Sequence, residues 1–274
     1  MMRAVNVLVA TLVDGLLWPF QAWPPIVGLT VASLLAALLL LAAFKATSNQ
    51  RAVAAVKRKI QAGLFELRLF QDDPYTVLRV VGDLFRQQAV YLRYALVPLL
   101  WIAIPLTLVC AQLQAHYGYE GLRPGESALL KVRLKDAGAR PSLAIDAPDG
   151  LRVGTPFVWA PALREAACRI EATRDGDYEL RVALNGTAVT KGVRATPLIV
   201  PRAAVRPSAA SWWEQVLYPA EAPLPADSAI EAIEISYPDR AFQVLGVPLH
   251  WIIVFLALST AFAFACRSAF DVVI

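Results

Sequence analysis

A chain of 274 residues with 57% hydrophobic residues, 18% charged residues and a mean hydropathy of +0.51 departs from the composition of a soluble globular protein. Its net charge of +4 is unevenly placed, since residues 45–93 carry nine Lys/Arg against four Asp/Glu while residues 116–245 carry fifteen against sixteen. A basic surplus confined to one short segment fits orientation in a membrane better than nucleic-acid binding, and no DNA partner is expected.

Residues 1–25 open the chain with Arg3, Asn6, Ala10 and Asp14 at helical spacing, opposite Val5, Leu8, Leu12 and Leu16. That pattern predicts an amphipathic helix lying in the membrane interface, with Trp18 and Trp23 at headgroup depth. Asp14 interrupts the apolar run and no small-x-small pattern precedes Trp23, which argues against a signal peptide. Residues 26–44 then form a first span, nineteen uncharged residues closing at Lys45. A helix needs about 20 apolar residues to cross the hydrocarbon.

Residues 45–93 predict an antiparallel helical hairpin. Val53, Val56, Ile60, Leu64 and Leu67 recur at three and four, the narrow stripe of a coiled coil. Asp73 is a good helix cap and Pro74 suits a first helical position, so a second helix starts there, with Leu78, Val81, Phe85 and Leu92 on the face toward the first. Lys45, Lys57, Arg58, Lys59 and Arg93 belong to the charge that the positive-inside rule holds in the cytosol. The hairpin has surface for a ribosome, an anionic lipid face or a nascent chain.

A second span covers residues 94–115, with Pro98 and Pro105 inside it. From residue 116 to 246 the period changes to two, in Ala128–Leu134, Ser142–Ile145, Ala167–Ala172 and Tyr178–Leu184. Asn185-Gly186 marks a hairpin, and Gly125, Gly138, Gly150, Gly154 and Gly176 mark further turns. Several short strands at this spacing predict an extracytoplasmic β-sandwich of immunoglobulin-like type, without the cysteine pair of antibody domains. Ser211–Leu217, with Trp212 and Trp213, predicts a short amphipathic helix, and Ser228–Tyr237 one more strand. Residues 247–266 form a third span, and residues 267–274 a cytosolic tail.

The three cysteines, Cys110 and Cys266 in apolar spans and Cys168 alone in the polar part, read neither as a disulfide framework nor as a zinc site. No glycine-rich phosphate loop, HExxH or nucleophile elbow is present, so neither catalysis nor a cofactor is expected. His116 and His250 flank spans two and three, and two interfacial histidines are too few for a metal site.

The stretch FKATSNQRAVAAVKRKIQAGLFELRLFQDDP, set between two spans, resembles the YidC/Oxa superfamily of membrane insertases. It looks most like the reduced three-span members, the archaeal YidC-like proteins and the third subunit of the endoplasmic-reticulum membrane protein complex. The resemblance lies in architecture and charge over residues 1–115 and 247–270. It implies a plasma (inner) membrane protein, N-terminus outside and C-terminus cytosolic, with a polar groove open to the cytosol. Lys45, Arg93, Tyr94, Ser259 and Thr260 are the candidate groove and rim, and Lys57, Arg58 and Lys59 the candidate partner-binding surface. Implied partners are membrane lipid, nascent or partner membrane proteins, a ribosome and further membrane subunits. No span interior here holds the basic residue those insertases place in the groove, and the β-domain is an addition to their pattern. The rival expectations are an anchored assembly subunit whose β-domain binds an extracytoplasmic partner, and a sensor. The cytosolic part lacks any signalling motif, which counts against the sensor.

Overall fold

The computed structural model describes residues 2–47, 50–70, 72–136, 141–244 and 246–270. It divides into two compact units, Met1–Ala32 with Thr107–Phe255, and Ser33–Leu106 with Leu256–Ile274. Four helices come first: α1 (Met2–Leu17), α2 (Pro25–Thr47), α3 (Gln50–Leu69) and α4 (Pro74–Tyr117). The whole of α2 and the Pro98–Tyr117 part of α4 are long and apolar enough to cross a membrane. The first agrees with the expected span at residues 26–44. The second overlaps the expected span at residues 94–115, running from Pro98 to Tyr117.

Within the helical unit, α3 and α4 form the expected antiparallel hairpin. Asp73 caps α4: its carboxylate accepts from the Tyr75 amide at 3.2 Å and from the Thr76 hydroxyl. The Thr76 bond, aided by backbone donors, holds that carboxyl below the usual range. Gly63 of α3 lies against Leu84 of α4, so close that an added Cβ would sit 2.7 Å from a Leu84 methyl. Arg79 reaches Glu66 at 3.4 Å, nearer the turn.

The inner face of α4 is not the expected one. Leu78, Phe85 and Leu92 are 74%, 73% and 53% exposed, while Val80 is buried and Val77, Val81, Leu84 and Tyr91 are partly buried. On α3, Val53 and Val56 are buried as expected, yet Leu64 is 54% exposed. Successive helical residues turn by about 100°, so Leu84 and Phe85 cannot both face α3. Gly63 admits the closer residue.

Among the described residues of the other unit, eleven strands follow in order: β1 (Ser127–Leu134), β2 (Leu143–Asp146), β3 (Leu151–Val153), β4 (Val158–Ala160), β5 (Glu165–Ala172), β6 (Gly176–Leu184), β7 (Thr187–Ala195), β8 (Val205–Pro207), β9 (Ile230–Ile235), β10 (Ala241–Val244) and β11 (Val247–His250). One sheet has the order β3-β5-β1-β9-β8, with β4 also on β5; a second has β2-β6-β7; β10 and β11 pair alone. All the strand pairings are antiparallel. Alternation decides which side chains turn inward. Leu130 and Val132 of β1, Ile170 of β5, Leu180 and Val182 of β6 and Val193 of β7 belong to one core shared by the two larger sheets. Asn185 and Gly186, both at positive φ, make the two-residue turn between β6 and β7. The turn expected at Gly138 lies outside the described residues.

A short helix, α5 (Trp212–Leu217), matches the expected Ser211–Leu217 segment. The last helix, α6, covers Trp251–Cys266, and here the expected span at 247–266 is corrected. Val247–His250 pairs with Ala241–Val244 across a turn with Gly246 at positive φ. An apolar strand and an apolar helix start are indistinguishable by composition. The remaining 16-residue helix is about 24 Å long, short of the roughly 30 Å of hydrocarbon.

Candidate functional site

The expected groove residues all lie in the helical unit. Lys45 is exposed in the last turn of α2, and Arg93 and Tyr94 are exposed on α4 just before the apolar window. On α6 the pair Ser259 and Thr260 divides. Ser259 is buried, its hydroxyl donating to the Leu256 carbonyl at 3.2 Å, and Thr260 is exposed. Neighbouring residues of a helix point in different directions, so only one of the two can turn inward. Among the described residues, no hydrogen bond or ion pair joins Arg93, Tyr94, Ser259 and Thr260 to one another. Ser33 on α2 is also fully buried in this unit, a polar group that the spacing alone did not select.

On α3, Lys57 is partly buried, and Arg58 and Lys59 are exposed. Arg58 begins a regular outward file, continued by Ala62, Phe65 and Leu69 at intervals of four, three and four. Phe65 and Leu69 are 74% and 75% exposed. The face is therefore basic at one end and apolar at the other. Such a surface is complementary to an apolar segment that carries a negative charge or approaches an anionic surface. Nothing in the expected inward stripe pointed to it, although the same 3.6-residue period, read from Arg58, does.

The β unit holds buried charge that could be mistaken for a reactive site. Lys191 is wholly buried on β7, its ammonium donating to the Ala203 carbonyl and to Glu221 at 2.6 Å. Glu221 also accepts from the Gly192 amide at 3.1 Å. Burial lowers the Lys191 pKa, and Glu221 opposes that shift. Every partner is an acceptor already engaged, and the arrangement serves as an internal clamp. Alternation could have found it, because Val189, Lys191 and Val193 share one register of the strand.

Arg202 acts similarly, donating to the carbonyls of Thr196 and Leu198, both at 2.7 Å, and of Tyr119 at 3.3 Å. Its pKa is pushed down to about 10 by burial, with Arg240 adding to the effect. Its own amide bonds the Ala115 carbonyl of α4 at 2.8 Å. Trp251 donates to Gln114 at 2.6 Å, so the start of α6 is pinned to the end of α4 within the same unit.

The polar face of α1 is also docked. Asn6 donates to the Gln215 carbonyl at 2.9 Å, and His116 sits 3.0 Å from Asp14. Val7, Leu8 and Leu12 face outward, as do Trp18 and Trp23. The Arg3 side chain lies outside the described residues. A cavity of about 490 Å³ is lined by Pro25, Ile26, Glu120, Arg240 and Phe242, and Arg240 there is committed to the Tyr119 carbonyl. No protein-family model, curated protein or solved structure matches the chain.

Proposed function

We propose that this chain is an insertase-like or chaperone-like membrane protein that holds apolar segments for insertion or assembly, without covalent catalysis. The observation that carries this reading is the outward face of α3, with Arg58 at one end and the exposed Phe65 and Leu69 at the other. A solvated hairpin gains nothing in stability from large exposed apolar side chains, whereas a surface that receives apolar chain requires them. The buried hydroxyls of Ser33 and Ser259 in the helical unit support a polar interior, although Thr260 does not contribute to it.

In this reading α6 is the third span, reaching full width with flanking residues and local thinning of the bilayer. The basic hairpin and C-terminus are cytosolic, and the N-terminus and β unit lie outside the plasma membrane. The β unit is an immunoglobulin-like sandwich, a reading supported by two antiparallel sheets around one core. The resemblance to the reduced YidC/Oxa insertases agrees with this arrangement. Lys45 and Arg93 form a basic rim that attracts substrate, lipid or ribosome.

The test is insertion of a short-tailed model membrane protein into vesicles with and without the chain. The chain is expected to raise insertion, and Phe65→Ser with Leu69→Ser to remove most of the gain. A correctly oriented chain that gives no gain over empty vesicles overturns the reading in favour of an assembly anchor. In that reading the β unit binds the partner and the helices only hold it in place.

A further inference from the structure

The cavity of about 490 Å³ lies wholly within the unit that holds the β-strands, and its size is that of a small-molecule pocket, typically about 300–1,000 Å³. Its walls are mostly apolar, with Pro25 and Ile26 from the start of α2 and Phe242 and Val244 from β10. Two charged residues, Glu120 and Arg240, line it as well. Arg240 is buried, and Glu120 is partly buried.

The charges here lack the partners that burial demands. Arg240 donates through Nε and Nη2 to the Tyr119 carbonyl, at 3.4 and 3.3 Å, and the buried Arg202 donates to the same oxygen at 3.3 Å. All three contacts are longer than the usual range of about 2.7–3.2 Å. Among the described residues, no ion pair within 4.0 Å reaches either guanidinium. Burial pulls the Arg240 pKa down, and the charge of Glu120 opposes that shift from farther away. The Glu120 carboxylate is itself placed 3.9 Å from Arg123. Buried charges are normally paired, and opposite charges on one cavity wall gain most by touching. Here they stand apart. Two opposite charges set apart beside an apolar wall are complementary to a zwitterion with an apolar tail. Its anion meets the guanidinium and its cation the carboxylate.

The place of the cavity narrows the class. Pro25 and Ile26 begin α2, a helix of 23 residues that is long and apolar enough to cross a membrane. Trp18 and Trp23, both exposed, come just before them, and exposed tryptophans gather at the level of lipid headgroups. Where α2 spans a bilayer, the zwitterion at that level is a phospholipid. Its phosphate can accept two N–H bonds from a guanidinium. An ethanolamine headgroup adds a primary ammonium that can donate to a carboxylate. A choline group has no N–H to donate, and a glycerol group has no positive charge. We propose that this cavity binds a phosphatidylethanolamine-type lipid, with the phosphate on Arg240, the ammonium on Glu120 and an acyl chain along Ile26 and Phe242. The proposal rests on α2 spanning the membrane and is independent of the insertase reading.

Titration of single lipids into the delipidated full chain in a non-ionic detergent, read by native mass spectrometry, tests it. Phosphatidylethanolamine is expected to bind about tenfold more tightly than phosphatidylcholine or phosphatidylglycerol, the effect of one charge-assisted hydrogen bond. Glu120→Gln is expected to erase that preference and leave the three lipids alike. Arg240→Gln is expected to weaken all three. Because Arg240 also holds the Tyr119 carbonyl, Ile26→Trp provides a second variant, which narrows the cavity from an exposed wall and leaves both charges in place. It is expected to weaken all three lipids too, with thermal unfolding unchanged. Equal binding of the three lipids by the native chain overturns the proposal, as does a preference that survives both Glu120→Gln and Ile26→Trp. Soluble phosphoethanolamine is expected not to displace the lipid at equal concentration. If it does, the site belongs to a free zwitterion and the lipid assignment falls. Alkaline extraction of native membranes checks the spanning of α2 separately. Release of a chain that keeps its lipid preference would overturn the spanning alone.

Discussion

The β unit and the helical hairpin treat large apolar side chains in opposite ways. In the β unit, alternating strands turn Leu130, Val132, Ile170, Leu180, Val182 and Val193 into one shared core, and even a lysine is taken inside, bonded to the Ala203 carbonyl and to Glu221. In the hairpin, Phe65, Leu69, Leu78 and Phe85 are each about three-quarters exposed. A sheet with a buried face has one correct register, and a wrong residue there costs stability. A helix has several faces, and only one of them is needed to hold α3 to α4. The others are available for something outside the fold. In the hairpin apolar surface exceeds what packing α3 on α4 uses, while the buried charge of Lys191 in the β unit is bonded within the fold.

The sharpest way to break that comparison is to remove the acceptor that makes buried charge tolerable. Glu221→Ala leaves the Lys191 ammonium with the Ala203 carbonyl alone inside the β unit, and breaking a buried pair in this way typically costs about 3–5 kcal/mol. Glu221→Gln keeps an oxygen for the Gly192 amide and should cost less. Thermal unfolding followed on the β unit checks both. Equal stability of wild type and Glu221→Ala would mean that Lys191 reaches water and does not depend on Glu221.

The next largest effect is expected on the hairpin. Gly63→Leu pushes a branched side chain into the place where Leu84 already lies, and overpacking of this kind costs about 1–3 kcal/mol. Leu84→Ala in the same chain opens room and should restore part of the loss. Protease resistance of the hairpin in inverted vesicles provides the measurement. If Gly63→Leu is silent, α3 and α4 do not approach at that point, and the inner and outer stripes of α4 lose their distinction.

That distinction also marks how far the sequence could be read. The strands were legible because period two is unambiguous where one face is buried, and Asp73-Pro74 announced the start of α4 through capping chemistry alone. The inner face of α4 was not legible. Two stripes, one through Leu84 and one through Phe85, have equally good helical spacing, and only the smallness of Gly63 on the neighbouring helix chooses between them. β11 was hidden because Val247–His250 is as apolar as a span, and Gly246 alone hints at a turn. Among the candidate site residues, Lys45, Arg58, Lys59 and Arg93 are exposed and Lys57 is partly buried, a distribution in keeping with the cost of burying charge. Ser259 and Thr260 could not be separated without knowing which side of α6 is covered.

A smaller effect is expected with pH. Burial pushes the Cys168 thiol up to about 12 from its ordinary value near 9. Between those values the unfolded chain gives up the proton and the folded chain keeps it, so stability falls as pH rises from 9 toward 12. Tyr237, also raised to about 12 by burial, acts in the same direction above 10. Lys191 is lowered, and raises stability with pH below its ordinary value of 10.5. Comparing the pH slope of unfolding for wild type and Cys168→Ala isolates the thiol. The variant should have the flatter alkaline limb. An unchanged slope would place Cys168 in contact with solvent and weaken the description of the β core as closed.

The smallest expected effect lies at α1, where both treatments of apolar surface meet in one element. Its polar side is docked through Asn6 on the Gln215 carbonyl and Asp14 beside His116, while Val7, Leu8 and Leu12 face outward. A helix floating in the interface would turn its polar side to water, whereas here the protein takes the polar side and leaves the apolar one uncovered. Asn6→Ala removes one partly buried hydrogen bond and should cost only about 0.5–1.5 kcal/mol. Spread over a 16-residue helix, that loss will not undock α1, but it should speed local opening. Hydrogen exchange along α1, in lipid, is the appropriate readout, with Leu12→Ser as the complementary change on the other face. If Asn6→Ala speeds exchange and Leu12→Ser lowers membrane association without altering exchange, the two faces act independently. If both changes affect exchange alike, α1 is held by burial on both sides, and its outward leucines belong to folding after all.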